Sequence, residues 1–507
     1  MVALAMFGCW APSAHAADRP NVIVIQTDDQ NASAVTHRLM PETVDLLRHH
    51  GTTFSDYIDS GPLCCPSRAV LLTGQYGHNN GVLWDNPNPY GSLLGKDNTL
   101  PVWLQGAGYR TAHIGKYLNL YAKAVGDPNK VPPGWDEWHT VLDSVDYYHY
   151  VLRENGRRAV EYGGRHRDYL THVLNEKAVR MIHRYTPRHR PLFMEVDQFA
   201  PHESVQVLDK RCRGTAVPAW RDRHLFEHKP LPKPPSFNEA DVSDKPSFIR
   251  THRRFQARGL RLLATQYRCR LASLRAVDRG VKDIVSALRS EHELNDTAIL
   301  FTSDNGWAEG QHRIPGGKVD PYEEILHTPL VMRLPKDMRS RGVPSTLSST
   351  VANIDVAPTI LRLAKAKPCP RAGDCRILDG RSLLKAIRSD GRRWPRHRAI
   401  LLELKVPGRM YAAPYTPCDY QGVRTSHQVY VEHHAATQRE KGPCTVREEV
   451  EHYDLRSDPF ELDNLFPANG GAAAAKQQSL AARIARLSDC AGIEGRDPEP
   501  PSGHYCE

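Results

Sequence analysis

Two apolar runs far apart in the chain, Val22-Ile23-Val24-Ile25 and Ala298-Ile299-Leu300-Phe301, both stop abruptly at oxygen-rich clusters. The first meets Gln26-Thr27-Asp28-Asp29 and the second Thr302-Ser303-Asp304-Asn305-Gly306. Short runs rich in β-branched residues, bounded by polar ones and without polar alternation, read as strands buried on both faces, as in parallel sheets. Residues 109–114 and 191–196 read as further strands, and helical patterns intervene at 40–50, 170–185 and 260–291. Strands alternating with helices predict an α/β fold with a mostly parallel central sheet flanked by helices. Sites in such folds lie beyond the carboxyl ends of the strands. Asp28, Asp29, Asp304 and Asn305 are therefore expected on one rim.

The stretch 365–380 is rich in Pro, Gly and Cys and reads as a boundary. Beyond it, short strands at 399–402, 428–431 and 452–455 predict a smaller C-terminal α+β unit with an antiparallel sheet. Residues 470–475 read as a low-complexity turn into a last helix at 477–487. At the other end, residues 2–12 are mostly apolar and Ala14-His15-Ala16-Ala17 offers small residues at signal-peptidase spacing. The expected division is a signal peptide at 1–17, a catalytic domain at 18–365 and a C-terminal subdomain at 366–507. Met6-Phe7-Gly8 before Cys9 is a poor match to a lipoprotein signal, so export without a lipid anchor (secreted or periplasmic) is expected. No other apolar run approaches the ~18–20 residues of a membrane span.

An oxidising compartment suits the 11 cysteines. Sequence neighbours point to pairs 369–375, 418–444 and 490–506, with 212–269 next and Cys65 left over, although sequence does not determine connectivity. The formal net charge of +9 favours anionic partners. No lysine-rich tail or compact basic block is present, which argues against nucleic acid. The Arg-rich stretch 250–279 reads as a solvated helix face.

The sharpest local feature is Leu63-Cys64-Cys65-Pro66-Ser67-Arg68, continuing to Leu72-Thr73-Gly74. Pro66 and Gly74 bracket a short helix. Cys64 then sits at its N-terminus, where free N–H groups favour an anion. By itself the pattern reads equally as a buried helix with one disulfide cysteine. The C-x-P-S-R pentapeptide with the following Leu-Thr-Gly resembles the signature of type I sulfatases. Further landmarks of that family occur in order: Asp28-Asp29, Gly115-Lys116-Tyr117, Ala200-Pro201-His202, Ser303-Asp304-Asn305-Gly306 and Lys318. The resemblance continues through Ile354-Asp355-Val356-Ala357-Pro358-Thr359 to Tyr453-Asp454-Leu455.

That resemblance implies an alkaline-phosphatase-like fold. It implies oxidation of Cys64 to 3-oxoalanine (formylglycine) by a formylglycine-generating enzyme, and covalent catalysis in which the hydrated residue attacks sulfur. Asp28, Asp29, Asp304, Asn305 and modified Cys64 would ligate Ca²⁺, with Mg²⁺ as the other hard cation these oxygens suit. Arg68, Lys116 and Lys318 would surround the sulfate, and His202 would contact it and protonate the leaving alcohol.

Leu118 stands where many sulfatases place a histidine, so another base is needed. His312 is the candidate, with His113 read as structural. Gly115-Lys116-Tyr117-Leu118-Asn119 and Pro132-Pro133-Gly134-Trp135 look most like the N-acetylglucosamine-6-sulfatase branch. A sulfated amino sugar, a glycosaminoglycan fragment or another sulfate ester is the expected substrate, with arylsulfatase activity on artificial esters. Arg424 is a candidate pocket residue. Two other readings stay open: a phosphomonoester or phosphonate-ester hydrolase on the same scaffold, and a non-catalytic binder of sulfated glycans in which Cys64 remains a thiol.

Overall fold

The computed structural model describes residues 19–507, except 86, 143–144, 157, 187–189, 207–208, 340–344, 372, 407–418 and 435–447. The expected signal peptide, Cys9 and the 418–444 pair lie outside the described residues. In chain order the strands are β1 (Asn21–Thr27), β2 (Thr52–Phe54), β3 (Tyr57–Ile58), β4 (Arg110–Lys116), β5 (Glu137–Val141), β6 (Val151–Glu154), β7 (Arg158–Glu161) and β8 (Leu192–Asp197). They continue as β9 (Thr297–Ser303), β10 (Leu330–Arg333), β11 (Thr346–Leu347), β12 (Val351–Ala352), β13 (Ala399–Leu404), β14 (Asp419–Thr425), β15 (Gln428–His434) and β16 (Glu449–Asp454).

A 10-stranded sheet runs in the order β11-β2-β10-β9-β1-β8-β4-β5-β6-β7. Its centre, β9-β1-β8-β4-β5, is parallel throughout, and antiparallel pairs begin at β10 and β6. All seven residues of β1 are buried, as are those of β9, which is why neither run alternates with polar residues. Ile23, Ile25, Met194, Val196, Ile299 and Phe301 pack one face against the helices Leu170–Tyr185 and Ala257–Ser290. Val22, Val24, Phe193, Ala298 and Leu300 pack the other against the helices Cys64–Thr73, Leu100–Gly106 and Val356–Ala364.

β13-β14-β15-β16 form a separate antiparallel sheet. It shares a core with the helix Gly471–Leu487 and with Leu63 and Val70 of the Cys64 segment. Disulfides join Cys212–Cys269, Cys369–Cys375 and Cys490–Cys506, while Cys64 and Cys65 are unpaired. Among the described residues no helix is long and apolar enough to cross a membrane.

Two expectations need correction. The stretch read as a turn at 470–475 is helical from Gly471, because its alanines have the highest helix propensity and outweigh the leading glycines. The Arg-rich stretch is continuously helical only from Ala257, and Arg270 is buried within that helix. Its guanidinium donates to the carbonyls of Pro201 (3.1 Å) and Asp29 and lies 3.5 Å from Glu309. Those partners offset the cost of burying the charge.

Candidate active site

Beyond the carboxyl ends of the parallel strands, the acidic turns are tied to one another. Asp29 has a left-handed backbone (φ 69°), a conformation that Asp adopts more readily than most residues. Its amide donates to Asp304 Oδ1 at 3.1 Å, and the Asp304 amide donates to the Thr27 carbonyl at 3.1 Å. Gly115 (φ 118°) lets β4 run close beside β8, since a Cβ there would lie 1.9 Å from the Asp197 carbonyl oxygen. Lys116, the next residue, is thereby brought to the same rim.

Leu63 is extended, Cys64 opens the helix Cys64–Thr73, and Gly74 closes it in the left-handed conformation. Cys64 and Arg68 are four apart and share one helix face. Cys64 Sγ lies 2.8 Å from Lys318 Nζ, 3.3 Å from Lys116 Nζ and 3.4 Å from Asp28 Oδ1. Arg68 donates from Nε to Asp304 Oδ2 (3.0 Å), from Nη2 to Asp28 Oδ2 (3.3 Å), and from Nη1 to Asp197 Oδ1 and the Lys116 carbonyl (both 3.0 Å). Lys116 donates to Asp28 Oδ2 and Lys318 to Asp29 Oδ1, each at 2.5 Å. Asn305 Nδ2 donates to Asp29 Oδ1 at 2.6 Å.

Burial alone would raise the Asp28 carboxyl, but Lys116, His202, Lys318 and Arg68 hold it well below the carboxylate range. Asp304 behaves oppositely: burial and the charge of Asp28 push it up to about 6 despite the nearby cations. Negative charge on the rim is thus incompletely balanced. Asp29 Oδ2 and Asn305 Oδ1 are buried acceptors without a donor, and ligand oxygens of Asp28, Asp29 and Asp304 lie within 4.8 Å of one another. An unsatisfied buried acceptor costs about 1–3 kcal/mol, and a hard divalent cation takes oxygens of this kind. The donor set fits Ca²⁺ or Mg²⁺.

His202 Nε2 lies 3.9 Å from Asp29 Oδ2, and burial followed by Lys116 lowers its pKa to about 4. His312 sits elsewhere. It forms no hydrogen bond or ion pair with Cys64, the rim acids or the two lysines, and bonds Glu239 instead (Nδ1–Oε2 2.8 Å). Arg424 is spent on Glu323 and Asp56, at 2.7–2.9 Å.

The sulfatase family model matches residues 20–366, and a second, described as the C-terminal region of N-sulphoglucosamine sulphohydrolase, matches 317–489. The chain belongs to the sulfatase family. An arylsulfatase of Volvox carteri is 34% identical over 98% of this sulfatase and 79% of its own length. Human N-acetylglucosamine-6-sulfatase is 30% identical over 95% of this chain and 86% of its own. The structure of BT4656 in complex with its substrate D-glucosamine-2-N,6-O-disulfate superposes with a TM-score of 0.71 at 24% identity, covering 92% of this sulfatase and 97% of that chain. A phosphonate monoester hydrolase of Agrobacterium radiobacter shares the fold at a TM-score of 0.62 and 20% identity. The sulfatase is accordingly a sulfuric ester hydrolase of alkaline-phosphatase-like fold.

Sequence reasoning did not name three residues that brace this site. Asp197, at the end of β8, accepts from Arg68 and from Gln26 Nε2 (2.8 Å), and its other oxygen lies 3.1 Å from His113 Nε2. Its position at the end of a third buried strand was the available signal. Asp85 accepts the Cys65 amide at 2.7 Å and Asn119 Nδ2 at 3.1 Å, holding the entry to the Cys64 helix. Arg270, described above, fixes the Asp29 turn from behind. Asp85 and Arg270 carried no local pattern that marked them.

Proposed function

We propose that this sulfatase hydrolyses sulfate esters of amino sugars or glycosaminoglycan-type fragments, using formylglycine at position 64 and a divalent cation held by Asp28, Asp29, Asp304 and Asn305. The observation that carries this reading is the setting of Cys64 Sγ, which stands where a formylglycine oxygen would lie. It faces two ammonium groups and a carboxylate of the rim at a buried helix N-terminus. Unmodified thiol chemistry is disfavoured there, because burial and then Asp28 push the Cys64 thiol well above its ordinary value. Formylglycine at position 64 would, once hydrated, supply a hydroxyl nucleophile, and a cation held by Asp28, Asp29, Asp304 and Asn305 would polarise it.

The remaining work falls to this chain's side chains. Lys116 and Lys318 neutralise sulfate oxygens, and Arg68 fixes the Asp28–Asp304 pair while adding positive charge. A bound sulfate ester brings negative charge beside His202 and favours the protonated ring that can hand a proton to the leaving alcohol. His312 contacts none of these groups and takes no part in this reading. Support for the sugar comes from the relatives named N-acetylglucosamine-6-sulfatase and from the second family model. Export, with maturation by a formylglycine-generating enzyme, belongs to the same proposal, in keeping with relatives described as extracellular sulfatases.

The test compares 4-nitrophenyl sulfate, 4-nitrophenyl phosphate and glucosamine-6-sulfate as substrates of protein made with the maturation enzyme. Preferential turnover of the sulfates, lost in Cys64→Ala, supports the reading. Faster phosphate turnover would assign the site to phosphoester chemistry. Binding of sulfated glycan without turnover by fully modified protein would assign it to binding.

A further inference from the structure

The loop that carries Asn305 and Lys318 to the rim also carries His312, whose backbone is left-handed (φ 49°) and whose side chain is fully buried. The ring stacks on Tyr322 with centroids 4.1 Å apart. Nδ1 lies 2.8 Å from Glu239 Oε2, and Lys245 flanks that carboxylate at 3.5 Å. A carboxylate on Nδ1 fixes the tautomer with its proton there and leaves the Nε2 lone pair free.

That lone pair meets two carboxylates. Nε2 lies 4.0 Å from Glu324 Oε2, and ligand atoms of His312, Glu324 and Glu461 all fall within 4.8 Å of one another. His312 Nε2, Glu324 Oε2 and Glu461 Oε1 are each buried without a hydrogen-bond partner. The opposite oxygens are already engaged: Glu324 Oε1 accepts from Ser236 Oγ and Glu461 Oε2 from the Glu323 amide, both at 2.8 Å. Glu239 and Glu323 have their own cations in Lys245 and Arg424, whereas among the described residues no Lys or Arg pairs with Glu324 or Glu461. Three converging acceptors without a counter-charge are unfavourable in a buried setting.

We propose that His312, Glu324 and Glu461 form a second metal site, distinct from the Asp28 rim, for a borderline divalent cation, Zn²⁺ first. One imidazole and two carboxylates suit zinc, and Glu239 supplies the outer carboxylate that such a histidine ordinarily has. Zinc bonds of about 2.0–2.2 Å with tetrahedral spacing place donors roughly 3.4 Å apart, so the 4.0 Å separation closes with small side-chain shifts. Of the three side chains, Glu324 is the one with some exposure, 17%, while its Oε2 is buried with the other two ligand atoms. Glu461 follows β16 of the C-terminal sheet, while His312 and Glu324 flank Lys318 in sequence. The ion would therefore join the C-terminal unit to the loop that aims Lys318.

The experiment uses untagged full-length protein stripped with EDTA, titrated with Zn²⁺ against a competing fluorescent indicator, and followed by metal analysis and thermal melting. Wild type and Asp28→Asn should each hold one zinc at this site and melt higher with zinc. Glu461→Gln and His312→Gln should lose the melting shift and bind at least about 10-fold more weakly, and Glu239→Gln should weaken binding about 10–100-fold, as loss of an outer-shell carboxylate does. If His312→Gln fails to fold, Glu461→Gln decides. Zinc binding by Glu461→Gln equal to wild type would overturn the proposal. So would wild-type protein that takes no zinc at this site, which would mean that a shared proton or a water joins the three groups.

Discussion

Replacing Asp197 by Asn removes one negative charge from behind Arg68 while keeping the side chain's shape. Asp197 Oδ1 accepts from Arg68 Nη1 at 3.0 Å and Gln26 Nε2 at 2.8 Å, and Oδ2 lies 3.1 Å from His113 Nε2. An asparagine can keep its oxygen toward Arg68 and turn its amide toward His113, so the contacts survive and mainly charge assistance is lost. Hydrogen bonds to charged groups contribute about 1.5–3 kcal/mol against about 1 for neutral ones, so Arg68 loses roughly 0.5–2 kcal/mol of restraint. Arg68 keeps Asp304 and Asp28, which limits the damage to that one bond. At about 1.4 kcal/mol per factor of ten, kcat/KM for 4-nitrophenyl sulfate should fall more than twofold and up to about 30-fold. Initial rates are normalised to formylglycine content by mass spectrometry, and a thermal melt confirms folding. A variant within twofold of wild type at equal modification would refute the claim that Asp197 restrains Arg68.

Three further outcomes are expected. Asp29→Asn removes a charged oxygen beside the orphaned Asn305 acceptor; calcium affinity by isothermal titration should drop at least about 10-fold while the fold is retained. Arg68→Lys keeps the charge but cannot bridge Asp304, Asp28 and Asp197 at once, so kcat/KM should fall by about 100-fold or more in the same assay. His78 gives a pH signature in stability: burial alone would lower it, but Glu403 and the Cys490 carbonyl raise it to about 9. Its folded value lies above the ordinary one, so the stabilisation is complete below about pH 6.5 and is lost as pH rises through 9, amounting to about 3 kcal/mol at most. Melting temperatures between pH 6 and 10 should fall more steeply for wild type than for His78→Asn.

What sequence revealed and what it hid follow from the range of the interactions. β1 and β9 were legible because burial on both faces removes polar alternation, and their acidic ends then marked the rim. Helix Leu170–Tyr185 was bounded to the residue, because its apolar stripe is continuous over its length. Cys64, Arg68, Lys116 and Lys318 came from family motifs, and the fold brings their side chains together. Asp197 ends a third buried strand, the same signal that marked the rim acids, but its partner Arg68 lies 129 residues away. Asp85, 20 residues from Cys65, carried no local pattern at all. His312 misled instead. Lying between Asn305 and Lys318 in sequence put it near the site on paper, but its left-handed backbone and the Tyr322 stack direct it to Glu239. Arg270 was misread because the helical pattern of 250–279 does not tell a buried guanidinium from a solvated one.

The central claim is the identity of residue 64. The tryptic peptide from His49 to Arg68 contains it, and its mass should be measured on protein from the native host or one co-expressing the maturation enzyme. Conversion of thiol to aldehyde lowers the mass by about 18 Da relative to cysteine, and that shift, localised to Cys64, is the predicted result. An unmodified thiol at Cys64, in a host shown to convert other such motifs, would contradict the account.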